Sequence, residues 1–171
     1  MYSLNAPVPG RVSALAADLA ARATAAAAGD RGTVDVRDDH TLVLKRLPEA
    51  PFDRLDASVR ETIAGTPPFA ARIARAGVFA EAVAGRSPVL YLAVESPELR
   101  ALHDRLAEAF DPVDGIEGED YVPHVTVSRG GPLAAVRAVA GPVEPVEWSV
   151  SELLLWDAER SVPAARLPLP V

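Results

Sequence analysis

Apolar and polar positions alternate most clearly over Tyr121–Arg129. There Val125 and Val127 fall on one side of an extended chain, and His124, Thr126 and Ser128 on the other. A strand with one apolar and one polar face is predicted. Further back, His40-Thr41-Leu42-Val43-Leu44-Lys45-Arg46-Leu47 reads as another strand, ended by Pro48 and Pro51. A short strand is predicted from Met1 to about Val8. It leads into a helix opened by Pro9, with Val12, Leu15, Leu19 and Ala20 on one side, that fades into a turn at Gly29-Asp30-Arg31-Gly32. A second helix spans about Asp53 to Ile63, with Leu55, Val59 and Ile63 at helical spacing.

The second half repeats this order. Residues 88–94 read as a buried strand. Ser96 is a helix N-cap and Pro97 the first helical residue. Leu99, Leu102, Leu106 and Phe110 form the helix stripe. A Gly/Asp-rich loop, Asp111–Asp120, precedes the His124 strand, and a short helix follows near Pro132–Val139. Each half therefore reads strand, Pro-opened helix, loop, His-bearing strand, helix, which suggests a duplication of architecture. Residues 69–83 look like extended hairpin material, and Val146–Trp156 and Val162–Leu167 also look extended. Such a mixture favours an α+β fold with antiparallel sheets. No glycine-rich phosphate loop follows a strand, so a doubly wound nucleotide-binding fold is disfavoured.

Length and composition fit this picture without narrowing it much. The 171 residues suit one compact domain or two joined lobes, and 49% hydrophobic with 24% charged residues is ordinary for a globular protein. The formal net charge of −7 disfavours broad binding along a nucleic-acid backbone, yet allows a local basic site for one phosphate or a short end. The chain has no Cys, which excludes disulfides and thiolate chemistry. No apolar run is long enough to span a membrane, and the Ala-rich residues 8–29 carry charges that argue against a signal peptide. A cytoplasmic monomer is expected.

Candidate chemistry rests on three His. His103 follows Leu102 on the amphipathic helix and reads as a boundary residue touching its own helix or solvent. His40 and His124 occupy matched places in the two halves, so pseudo-twofold packing would bring them to one cleft. The only Lys, Lys45, follows His40 closely and stands beside Arg46. Tyr91, Phe79, Trp148 and Trp156 read as packing residues, with base stacking as the alternative. The acidic loop Asp114–Asp120 reads as solvated and mobile, or else as a lid.

Pro123-His124-Val125-Thr126-Val127-Ser128-Arg129 resembles the second His-x-Thr-x motif of the two-histidine phosphoesterase superfamily, the 2′-5′ RNA ligase-like proteins and RNA 2′,3′-cyclic phosphodiesterases. The likeness extends over nearly the whole chain. It implies two pseudo-symmetric lobes, each a small antiparallel sheet backed by helices, around a central cleft. By half-chain the lobes would be 1–68 and 87–145, with 69–86 and 146–171 as connecting or completing strands of a single two-lobed domain. It implies His40 and His124 as an acid/base pair, Thr126 as a donor to phosphate and Arg129 as the Arg that often follows the motif; from the residues themselves, Thr41 and Lys45 are further candidates for substrate binding. No metal or other cofactor is implied. Two imidazoles on opposite sides of phosphorus can serve as base and acid in opening a cyclic phosphate.

The first motif departs from the pattern. If His40 is catalytic, Leu42 stands where Thr belongs. If Thr41 fills the Thr position, Asp39 stands where His belongs. A bulge near His40 would reconcile them. The expected function is metal-independent opening of 2′,3′-cyclic phosphates on RNA ends or small nucleotides, with reversible 2′-5′ ligation. The alternatives are a non-catalytic RNA- or nucleotide-binding member of the fold and an enzyme for another cyclic ester.

Overall fold

Proline and apolar spacing set most of the element boundaries. The computed structural model describes residues 1–30 and 32–170. Its strands are β1 (Tyr2–Pro7), β2 (Val34–Val36), β3 (Thr41–Arg46), β4 (Phe69–Phe79), β5 (Val89–Glu95), β6 (His124–Gly130), β7 (Gly141–Val150), β8 (Glu152–Asp157) and β9 (Val162–Pro168). The helices are α1 (Gly10–Ala26), α2 (Phe52–Ile63), α3 (Pro97–Phe110) and α4 (Leu133–Val139), with one 3₁₀ turn at Gly118–Asp120. At α3 the Ser96 hydroxyl accepts the Leu99 N–H at 3.2 Å, and Pro97 opens the helix. α1 ends just before the turn expected at Gly29–Gly32, of which Arg31 lies outside the described residues. The three-residue β2 is too short to show alternation and exists by pairing with β6.

All strand pairs are antiparallel, in the order β7-β4-β5-β6-β3-β1-β8-β9, with β2 also on β6. The middle contact, β6 with β3, consists of the single pair Leu42 opposite Val125. Two four-stranded halves thus open away from one seam, which is the α+β arrangement of antiparallel sheets around a cleft. The expected hairpin over residues 69–83 is instead the long strand β4, paired with β5 on one side and β7 on the other.

The helices cross the seam. α1 follows β1 but packs with α4 and β6, whereas α3 follows β5 but packs with α2, β3 and β4. Their stripes, Val12, Ala16, Leu19, Ala20 and Ala23 on α1 and Leu99, Leu102 and Leu106 on α3, are fully or almost fully buried. This exchange ties the halves together, because each sheet is covered partly by the other half's helix.

The two central strands share an irregularity. On β3 the pairing with β1 skips Leu44, since Leu4 faces Lys45 and Asn5 faces Val43. On β6 the pairing with β5 skips Val127, since Leu90 faces Ser128 and Tyr91 faces Thr126. A bulge displaces the alternation by one residue. It turns Arg46 and Arg129 back to the cleft and sends Lys45 and Ser128 into the interior, where both are 0% exposed.

Candidate active site

The seam pair and the matched bulges define which residues of the halves correspond. Exchanging Leu42 with Val125 puts Thr41 at the place of His124, Val43 at that of Thr126, Lys45 at that of Ser128 and Arg46 at that of Arg129. Asn5, beside Val43, then corresponds to Tyr91, beside Thr126. The first half therefore presents Thr-Leu-Val where the second presents His-Val-Thr. His40 lies one residue outside this correspondence.

Thr41, Val43 and Arg46 from β3 and His124, Thr126 and Arg129 from β6 line one cleft of about 490 Å³. Ser3, Asn5, Arg37, Phe79, Tyr121 and Trp156 also contribute to its walls. The volume is in the range of small-molecule sites. Among the described residues no group of three or more His, Asp or Glu side chains stands where it could hold a metal ion.

His124 is held from two directions. Its Nδ1–H donates to the Val122 carbonyl at 2.7 Å, which leaves Nε2 as the unprotonated nitrogen of the neutral ring. Phe79 and Tyr91 stack on each other at 4.1 Å and meet the imidazole edge-on at 5.3 and 5.5 Å. Gly77 makes that stack possible, because a Cβ there would lie 2.5 Å from the Tyr91 ring. Burial lowers the His124 pKa below its ordinary value, and Arg46 and Arg129 lower it further against the opposing bond to Val122. The imidazole is thus neutral near pH 7, and a neutral imidazole is a base.

The cleft brings three arginines, Arg37, Arg46 and Arg129, together beside the exposed carboxylates Asp39, Glu81 and Asp120. Burial, then Arg37 and Arg46, lower the Arg129 pKa, so the three guanidinium groups sense one another. Arg129 donates to the Ala84 carbonyl at 2.9 Å, which anchors it to the β4–β5 loop. Arg46 approaches Glu117 at 3.7 Å, but that carboxylate already faces Lys45 at 2.6 Å. An anion in the cleft would relieve this repulsion.

On the β3 side, Ser3 Oγ donates to Asn5 Oδ1 at 2.8 Å, and Asn5 Nδ2 donates to Thr41 Oγ1 at 3.2 Å. Among the described residues the Thr41 hydroxyl proton has no protein acceptor.

His40 and Lys45 do not line this cleft, contrary to the sequence expectation. His40 immediately precedes β3, where alternation turns it away to a separate shallow depression with Ser13, Ala17, Ala20 and Ala21 of α1. No bulge near His40 turns it inward; the bulge falls at Leu44. Asp39, Thr41 and Val43 share the cleft-facing side instead.

Lys45 is turned inward by that bulge. Its Nζ donates to Glu117 and to the carbonyls of Arg46 and Asp111 at 2.7 and 2.9 Å. Glu117 also accepts the N–H groups of Arg46 and Val113 at 2.7 and 3.0 Å. These bonds hold its carboxyl below the usual range although burial opposes them. The acidic loop is therefore fastened at Glu117, and its Gly115, Ile116 and Asp120 form part of the cleft wall. No local pattern in the sequence marks Glu117, 72 residues away, as the partner of Lys45.

Ser128, expected beside Thr126, is buried behind the bulge, where Oγ lacks a hydrogen-bond partner among the described residues. His103 is fully buried rather than at a boundary. Its Nδ1–H donates to the Leu44 carbonyl at 2.7 Å, its Nε2 accepts the Gly118 N–H at 2.9 Å, and its ring stacks on Tyr121 at 3.6 Å. Of the aromatics, Phe79 and Trp156 reach the cleft, Tyr91 supports Phe79, and Trp148 packs partly buried on β7.

The family description "2′-5′ RNA ligase superfamily" matches residues 40–161, well over half the chain. No curated protein matches the sequence. Among solved structures, TT0787 of Thermus thermophilus is 20% identical with a TM-score of 0.66, covering 98% of this chain and 97% of its own. E. coli LigT complexed with NADP+ is 18% identical with a TM-score of 0.68, covering 99% and 97%. LigT structures with 3′-AMP and with phosphate also match, at 17% and 18% identity and TM-scores of 0.68 and 0.66, covering 99% of this chain and 98% and 97% of their own. At these identities the likeness shows the fold. Among the described residues, no helix is long and apolar enough to cross a membrane.

Proposed function

Because the chain belongs to the 2′-5′ RNA ligase superfamily, we propose that its cleft binds a nucleotide phosphodiester and hydrolyses it with one imidazole. The observation carrying this reading is the free Nε2 of a neutral His124 beside Thr126, in a cleft shared with Arg46 and Arg129. Complexes of LigT with 3′-AMP and with phosphate support a nucleotide-type ligand.

In the proposed step His124 takes a proton from water as its oxygen attacks phosphorus. Thr126 donates to a non-bridging oxygen, and the Arg46 and Arg129 guanidinium groups balance the charge that grows there. Fixed donors supply this stabilisation, so the reaction proceeds without a metal. Substrates include RNA ends or small nucleotides carrying a 2′,3′-cyclic phosphate, whose strained ring aids opening. Attack by an RNA hydroxyl instead of water gives 2′-5′ ligation. Thr41 replaces the second imidazole of the two-histidine scheme and binds phosphate rather than moving a proton.

The test is turnover of an RNA ending in a 2′,3′-cyclic phosphate, in EDTA, with and without an acceptor RNA. His124→Ala is expected to slow hydrolysis by about 10²–10⁴-fold. The base works deprotonated, so kcat/KM rises with pH through a pKa below 6.5 and then stays level. A descending limb near neutrality would mean a second proton-transfer group and overturn the one-imidazole scheme. The placement of Thr41 and Val43 favours one other reading, a nucleotide-binding protein without turnover. Saturable 3′-AMP binding with no hydrolysis in wild type would establish that reading instead.

A further inference from the structure

We infer that the natural substrate of this cleft is a phosphate diester or anhydride whose leaving oxygen is stable as an anion, because the half facing His124 carries a hydrogen-bond donor in place of a proton-transfer group. This inference rests on the hydrolytic reading above and ranks its substrates: the cyclic phosphate is still hydrolysed, through its ring strain, but more slowly than the natural substrate.

Its basis is what β3 places opposite β6. Val43 has only methyl groups to present. Thr41 has a hydroxyl that neither gains nor loses a proton near neutrality. Asn5, only 2% exposed, fixes that hydroxyl by donating to its oxygen, and Ser3 in turn fixes Asn5. This chain makes Thr41 a directed donor, suited to a non-bridging phosphate oxygen. The other polar groups nearby do not deliver a proton to a leaving oxygen. Arg46 and Arg129 remain protonated throughout. The Tyr121 hydroxyl already donates to the Val43 carbonyl at 2.8 Å, and burial pushes its pKa up. Asp39, Glu81 and Asp120 line the cleft but are solvent-exposed, which keeps such carboxylates ionised near neutrality and without a proton to give.

The proton account of the step then closes in one way. Water oxygen bonds to phosphorus and its proton goes to His124 Nε2. The bond from phosphorus to the leaving oxygen breaks, and the electron pair departs with that oxygen as an anion. His124 then returns its proton to solvent. A ribose alkoxide leaves poorly under these conditions. A phosphate monoester leaving from a phosphoanhydride, or a phenolate leaving from an aryl ester, needs no protonation. A nucleoside diphosphate ester, with its pyrophosphate bridge, is the biological form of this class; a five-membered cyclic phosphate, with an alkoxide leaving group, is the slow one.

The experiment is a leaving-group series on the wild-type protein: thymidine 5′-(4-nitrophenyl phosphate), thymidine 5′-phenyl phosphate, a dinucleotide joined by pyrophosphate and the dinucleoside monophosphate of the same bases. Without acid assistance, kcat/KM should fall on the order of 10²-fold from nitrophenyl to phenyl, and the pyrophosphate should outrun the monophosphate by at least as much. Thr41→His combined with Val43→Thr should shrink the nitrophenyl-to-phenyl ratio by about tenfold or more. A wild-type ratio below about tenfold, or a monophosphate hydrolysed as fast as the pyrophosphate, overturns this inference and leaves the hydrolytic reading standing. Hydrolysis of none of the four substrates, nor of the cyclic phosphate, removes that reading and this inference together.

Discussion

At corresponding positions β6 carries His124, Thr126, Ser128 and Arg129, and β3 carries Thr41, Val43, Lys45 and Arg46. Both strands have the same bulge, bury the residue after it, and return an Arg to the cleft. They differ in what fills those places. β6 gives the cleft an imidazole and a hydroxyl, and buries a serine. β3 gives it a hydroxyl and a methyl pair, and buries a lysine against Glu117. Backbone geometry is thus symmetric across the seam, while an imidazole faces the cleft from one side alone among the described residues. The cationic side chains are shared, since Arg46 and Arg129 match, so under the proposed function the asymmetry affects proton transfer more than anion binding.

The widest gap between the strands should appear at the buried pair of positions. Lys45→Met leaves Glu117 buried without its cation, and with it the fastening of the acidic loop. A loss of about 3–5 kcal/mol is expected in urea unfolding at pH 7. Ser128→Ala removes a hydroxyl that has no partner among the described residues, and stability should change by less than about 1 kcal/mol. Similar losses for both variants would refute the claim that the interiors of the halves differ.

Arg46→Gln and Arg129→Gln probe where the halves agree. Each should weaken 3′-AMP binding about 5- to 20-fold, measured by calorimetry, and the two effects should be of like size. A large effect for only one would mean that a single half holds the phosphate. The smallest effect is expected at His40→Ala, which should leave kcat/KM on the cyclic phosphate within about twofold. A drop of 10²-fold there would restore His40 as the partner of His124 and undo the correspondence drawn from the bulges.

Much of the fold could be read from the chain because its signals are local. Alternation marked β6, Pro97 after Ser96 marked α3, and the repeated order of elements pointed to two similar halves. Half of the site was equally legible, since His124, Thr126 and Arg129 lie within six residues of one strand. Reading β3 failed by a single residue. His40 attracts attention as the only imidazole nearby, but facing direction depends on register, and a shift of one residue reverses it. Neither bulge has a sequence mark: Leu44 sits in an ordinary apolar run and Val127 in an ordinary alternating one. Lys45 looked like a phosphate ligand because a lone cation beside an Arg gives no hint that a Glu from a distant loop will bury it.

What the sequence determined by itself is therefore most of the elements, their α+β class and the two-faced character of the His124 strand, all consequences of side-chain periodicity over a few residues. Tertiary structure decided which strand positions meet. Pairing across the seam, and the bulges that go with it, placed Thr41 rather than His40 and Arg46 rather than Lys45 in the cleft. Those choices depend on contacts between residues far apart in the chain, and no local pattern encodes them.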